Sequence, residues 1–136
     1  MLVLRGPALS IRITDPAIRA LVEQRFTEIQ AGEPYDYDTH GYSIVVEPGD
    51  TVEALENETG YPIPGSLFDD SRFGDPEYAP SFEALEEHPS CFEIVFILSD
   101  DGFGFTVFVP KADGIDAVLL SMCARYAIPA SALTPP

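Results

Sequence analysis

The stretch that most constrains this chain is Cys91 to Pro110, CFEIVFILSDDGFGFTVFVP. Cys91 to Leu98 is almost wholly apolar, and Phe103 to Val109 is aromatic and β-branched. Both compositions suit a pleated, buried surface. Ser99-Asp100-Asp101-Gly102 supplies turn residues between them, and Gly102 tolerates a positive φ at little steric cost. The reading is a β-hairpin. On its second strand Phe103, Phe105, Val107 and Val109 alternate with Gly104, Thr106 and Phe108, so both faces carry bulk and both are expected to be covered.

The rest of the chain is read around that hairpin. Leu2-Val3-Leu4 predicts a short strand, and the alternation of Leu9, Ile11 and Ile13 predicts a second, half-buried one. Thr14-Asp15-Pro16 predicts a helix start, with Asp15 capping and Pro16 at the first helical position. Ile18, Leu21, Val22, Arg25, Phe26 and Ile29 then fall on one helical face, with the stem of Arg25 covering apolar surface. Arg19 and Glu23, four apart, are expected to form a modest surface pair. Gly32 ends the helix.

Tyr42 to Glu47 predicts a strand, and Pro48-Gly49-Asp50 a turn. Asp50 and Glu53 have the spacing of a capping box for a short helix that stops at Gly60. Tyr61 to Pro89 is irregular and carries five prolines (Pro62, Pro64, Pro76, Pro80 and Pro89). A short helix is expected at Ser81 to Glu87. After the hairpin, Asp113 or Asp116 caps a last helix from Ile115 to Ala127, with Ile115, Val118, Leu119, Met122, Cys123 and Tyr126 on its apolar face.

The pattern predicts a single α+β domain over residues 1–136. Its expected form is a two-layer sandwich, with about three helices over one face of a mostly antiparallel sheet and the hairpin followed by the C-terminal helix. The chain is 46% hydrophobic, enough for a sizeable core, and shows no run long enough to span a membrane. No signal-peptide pattern is recognised, which points to the cytoplasm. Cys91 and Cys123 sit among apolar residues and are expected to be reduced and buried.

Charge is the feature that bears on function. Seven basic residues face 23 acidic ones, for a net charge of −16. Between Glu33 and Asp101 there are 18 acids and one base, Arg72. Such a field disfavours nucleic acid and anionic membranes and attracts a basic protein. The residues expected to meet that partner are Tyr35, Asp36, Tyr37, Asp38, Tyr42, Asp69, Asp70, Asp75 and Glu77. A concrete form is an immunity or antitoxin protein that neutralises a nuclease-like toxin. An acidic structural domain without a dedicated ligand is a further alternative.

Catalytic motifs are absent from the sequence. There is no CxxC, GxSxG, HExxH or P-loop. The acidic pairs Asp69-Asp70, Glu86-Glu87 and Asp100-Asp101 are adjacent, and adjacent residues in extended chain point apart. The expectation is therefore a protein that is not an enzyme, with no cofactor and no metal. The alternative is a small metal-dependent hydrolase built on Asp36, Asp38 and His40. Those three are spaced by two, so an extended segment would turn them to one side.

Overall fold

The computed structural model describes residues 1–30, 42–59, 84–97 and 104–129. The elements in chain order are β1 (Leu2–Leu4), a 3-10 helix (Pro7–Arg12), α1 (Pro16–Gln30), β2 (Tyr42–Val45), α2 (Val52–Thr59), β3 (Ala84–Glu87), β4 (Cys91–Ile97), β5 (Gly104–Pro110), α3 (Ala117–Tyr126) and β6 (Ile128–Pro129). The strands form one six-stranded sheet in the order β1-β2-β5-β4-β3-β6. The pairs β1/β2, β4/β5 and β3/β4 are antiparallel, while β2/β5 and β3/β6 are parallel. This is the expected mixed α+β fold, with a mostly antiparallel sheet, three α-helices among the described residues and a C-terminal hairpin that leads into a helix.

The hairpin strands β4 and β5 lie at the centre of the sheet, in register from Cys91 opposite Pro110 to Ile97 opposite Gly104. Their alternation sorts the core into two clusters. Phe105, Val107 and Val109 join Ile44, Phe92, Ile94, Leu55, Ile115, Leu119 and Cys123, which places α2 and α3 on one face. Phe108 joins Leu4, Val45, Cys91, Ile18, Val22 and Phe26, which places α1 on the other. Helices therefore cover two faces rather than the one expected. The sequence shows which residues of β5 alternate, but not which helix each set meets.

Local chemistry explains where the elements begin. Asp15 Oδ1 accepts hydrogen bonds from the Ala17 and Ile18 amides at the start of α1. Asp116 does the same for Val118 and Leu119 at the start of α3. At the turn before α3, Gly114 has φ +87, and a Cβ there would meet Pro48 Cβ at 3.1 Å. The positive φ favours glycine, and the close approach of Pro48 leaves little room for a side chain.

Several local expectations are corrected. Leu9 to Ile13 does not continue a strand. Pro7 removes a ladder donor. The Leu9 amide then donates to the Gly6 carbonyl, and the Ile13 amide to that of Ser10. The resulting period of three buries Ser10 and Ile13 and leaves Ile11 74% exposed. Arg19 and Glu23 do not pair. Arg19 donates to the Ile13 and Ile11 carbonyls, and Glu23 accepts from Ser10 Oγ at 2.8 Å. The cap of α2 is Thr51, whose Oγ1 accepts from the Ala54 amide at 3.1 Å. Asp50 is drawn away by the Glu47 amide and the Met1 ammonium. Val118 is 58% exposed rather than part of the apolar face of α3.

The most consequential correction is at Ser81 to Glu87, where residues 84–87 form β3 instead of a helix. The tight connection His88-Pro89-Ser90 folds them back on β4, with the His88 amide donating to the Cys91 carbonyl at 2.9 Å. Ladder pairing with a buried strand outweighs the helix propensity of an Ala-Leu-Glu-Glu run.

Candidate metal centre

Because β3 is a strand, its side chains alternate between the two faces of the sheet. Glu87 Oε2 lies 2.8 Å from Lys111 Nζ, and that ammonium also sits over the Phe92 ring. Glu86 and His88 are two apart and share the opposite face, towards α1. The antiparallel register sets Glu86 directly opposite Glu93 of β4. Glu93 follows Cys91 by two, so it points to the α1 side as Cys91 does.

Glu93 is 0% exposed. A carboxylate in that position is costly unless paired and hydrogen-bonded. Arg25 supplies a two-pronged partner from α1. Its Nε lies 2.5 Å from Glu93 Oε2 and its Nη2 2.7 Å from Oε1. The same Nη2 is 3.9 Å from Glu86 Oε2. The face of α1 read as apolar with a covering arginine stem is thus interrupted for a charge. The planar fork of an arginine matches a carboxylate in a way a lysine cannot.

His88 completes the cluster. Its Nε2 lies 2.8 Å from Glu93 Oε1 and 3.6 Å from Glu86 Oε2. The ligand-capable atoms of Glu86, His88 and Glu93 all fall within 4.8 Å of one another. Metal–ligand bonds to imidazole and carboxylate run about 2.0–2.2 Å, so two donors on one ion lie at most about 4.4 Å apart, and both separations made by His88 fall within that reach. Two carboxylates directly opposed across a ladder repel each other. Arg25 offsets one negative charge, and a cation between the donors would offset the other.

The expectation of a protein that is not an enzyme is therefore corrected. A buried Glu/His/Glu cluster able to coordinate an ion is the kind of donor set on which catalytic metal centres are built. The sequence reading missed it for an identifiable reason. Ser81 to Glu87 reads as a helix and Glu86-Glu87 as an adjacent pair that points apart, and neither view uses the Glu86-x-His88 alternation.

No protein-family model, curated protein or solved structure matches this chain. The functional reading rests on the site's own chemistry.

Tyr35, Asp36, Tyr37, Asp38, His40, Asp69, Asp70, Asp75 and Glu77 lie outside the described residues, as does the Ser99 to Gly102 turn. Tyr42 is described. It stacks on Phe105 with ring centroids 5.0 Å apart, and Arg5 lies over its ring.

The two thiols do not supply a nucleophile. Cys91 and Cys123 are free, buried and in different core clusters on opposite faces of the sheet. Burial pushes both up to about 12, and at Cys91 the charges of Glu93 and Asp15 add to that effect. A thiol that ionises near 9 in the unfolded chain and near 12 in the fold favours unfolding as pH rises between those values, because only the unfolded state has released its proton. Their contribution is fully present below pH 9. Above it, stability is expected to fall by about 1.4 kcal/mol per pH unit for each thiol. Urea midpoints from pH 8 to pH 11, compared with Cys91→Ala and Cys123→Ala, check this. Equal slopes in all three proteins would refute it.

Among the described residues no helix is long and apolar enough to cross a membrane.

Proposed function

We propose that this chain is a metal-dependent hydrolase whose ion is held by Glu86, His88 and Glu93. The observation that carries the reading is the convergence of three donor atoms within 4.8 Å around a fully buried carboxylate. This moves the hydrolase reading from Asp36, Asp38 and His40 to a cluster drawn from two paired strands.

The chemistry of the donor set supports a transition metal. One imidazole nitrogen and two carboxylate oxygens suit zinc, iron or manganese. Three protein donors leave a position for water or substrate, which separates catalytic from closed structural sites. A bound ion supplies a polarised water at neutral pH. The chain's own residues hold the geometry. The β3–β4 turn fixes His88, the ladder fixes Glu86 against Glu93, and Arg25 pairs with Glu93 in the interior.

Protein purified without chelator is expected to carry about one divalent transition-metal ion per chain. His88→Ala and Glu93→Gln should each lose most of it by elemental analysis. Hydrolysis of activated ester and phosphodiester substrates should disappear with a chelator and return with the ion. Metal-free protein whose melting temperature does not move on addition of zinc, manganese or iron would sink the reading.

The acidic centre of the sequence carries a second reading, association with a basic protein. Its specific support is the run of 18 acids against one base between Glu33 and Asp101. An immunity protein seated on a nuclease-like toxin is one such case. The association rate should fall at least about tenfold between low and high salt, since charge steers the encounter. A pull-down from the native cell at low salt that yields no basic partner would count against it.

A further inference from the structure

The deciding detail is how Arg25 occupies Glu93. Its Nε takes Glu93 Oε2, and its Nη2 shares Oε1 with His88. The guanidinium fork spans both oxygens, so the chelating approach to Glu93 is taken, and the oxygen that also meets His88 Nε2 is Oε1. Glu93 is thereby left to offer an ion one oxygen and not two.

We propose that Arg25 is a specificity-determining positioning residue that selects small, low-coordinate transition ions over calcium. The inference rests on the metal-centre reading above. Calcium takes six to eight oxygen ligands at about 2.3–2.6 Å and commonly uses bidentate carboxylates. Zinc is satisfied by four ligands, and one oxygen per carboxylate suffices. By spanning both oxygens, the guanidinium blocks the bidentate mode that calcium would use at Glu93. By adding a positive charge beside the donors, it also weakens the pull on an ion that offers no covalency in return. Arg25 touches neither ion nor substrate, so its effect passes through Glu93.

Arg25→Lys tests the fork separately from the charge. A lysine keeps the positive charge but presents a point donor, so one Glu93 oxygen is released. Arg25→Gln removes the charge as well. The measurement is competitive titration of zinc, cobalt and calcium into wild type and both variants, with the cobalt absorption spectrum as a report on coordination number and circular dichroism as the folding control. The ratio of calcium to zinc dissociation constants is expected to fall about tenfold or more in Arg25→Lys, in the range that metal-orienting neighbours usually contribute. The cobalt bands should weaken as the coordination number rises. If Arg25→Gln does not fold, Arg25→Lys decides alone.

A wild-type protein that binds zinc and cobalt, with an unchanged ratio and spectrum in Arg25→Lys, overturns the role of Arg25 and leaves the metal centre standing. A wild-type protein that binds neither ion overturns the centre itself.

Discussion

Arg25→Met is expected to destabilise the fold by about 3–5 kcal/mol, the cost typical of stranding one member of a buried ion pair. Glu93 has no access to water, and two of its hydrogen bonds come from that guanidinium. Glu86 stands directly opposite on β3, so the variant leaves two carboxylates facing each other with His88 as their shared neighbour. Methionine fills most of the volume of the arginine stem, so the loss is one of charge rather than packing. The second half of the argument is the double variant Arg25→Met/Glu93→Gln. A neutral amide still accepts from His88 and no longer needs a cation, so part of the loss should return. The coupling between the two positions should reach about 2–3 kcal/mol. Urea denaturation with a chelator present measures both, free of any contribution from a bound ion. A single variant within about 1 kcal/mol of wild type, or strictly additive effects, would show that the pair does not hold the interior carboxylate in place.

What could be read in advance follows from how locally each feature is encoded. The hairpin, α1 and α3 were legible because periodicity, caps and turn residues are local signals. Asp15 and Asp116 act where their spacing placed them. Leu9 to Ile13 is ambiguous because a period of two through Leu9 and Ile11 and a period of three through Ser10 both end on Ile13 in so short a run. Proline at position 7 was the sign that the ladder could not continue. The cluster at Glu86, His88 and Glu93 was less legible for a different reason. Glu86 and His88 share a face only if the segment is extended, and Ala-Leu-Glu-Glu favours a helix when read alone. Glu93 sits in an apolar run, flanked by Phe92 and Ile94, and that was a usable signal. A glutamate inside a buried strand demands a partner, and Arg25, on the otherwise apolar face of α1, was an available cation. Neither residue names the other in sequence, since 68 positions separate them. Only the stacking of α1 on the face of the sheet that Cys91 and Phe108 share brings them together.

That same face makes Phe108→Ala the second large effect. Phe108 lies on β5, a strand paired on both sides, and is fully buried against α1. Its register partner on β4 is Glu93. Truncation removes an aromatic ring from a cluster that includes Leu4, Ile18, Val22, Phe26, Val45 and Cys91. Removing a buried aromatic costs about 3–5 kcal/mol when the surroundings cannot collapse into the space. Collapse is limited here, because the β2 and β4 ladders pin the backbone on either side. Phe108→Leu, which keeps most of the volume, should cost about 1–2 kcal/mol, and Val118→Ala, at an exposed position, close to nothing. The functional consequence is sharper than the loss of stability. An opening beside Glu93 admits water next to the carboxylate, which weakens its pairing with Arg25 by raising the local dielectric. Phe108→Ala should therefore lose zinc affinity as well as stability, while Phe108→Leu keeps the affinity. Zinc titration below the unfolding transition distinguishes the two. Equal affinities in Phe108→Ala and wild type would mean that the centre does not depend on the dry floor Phe108 provides.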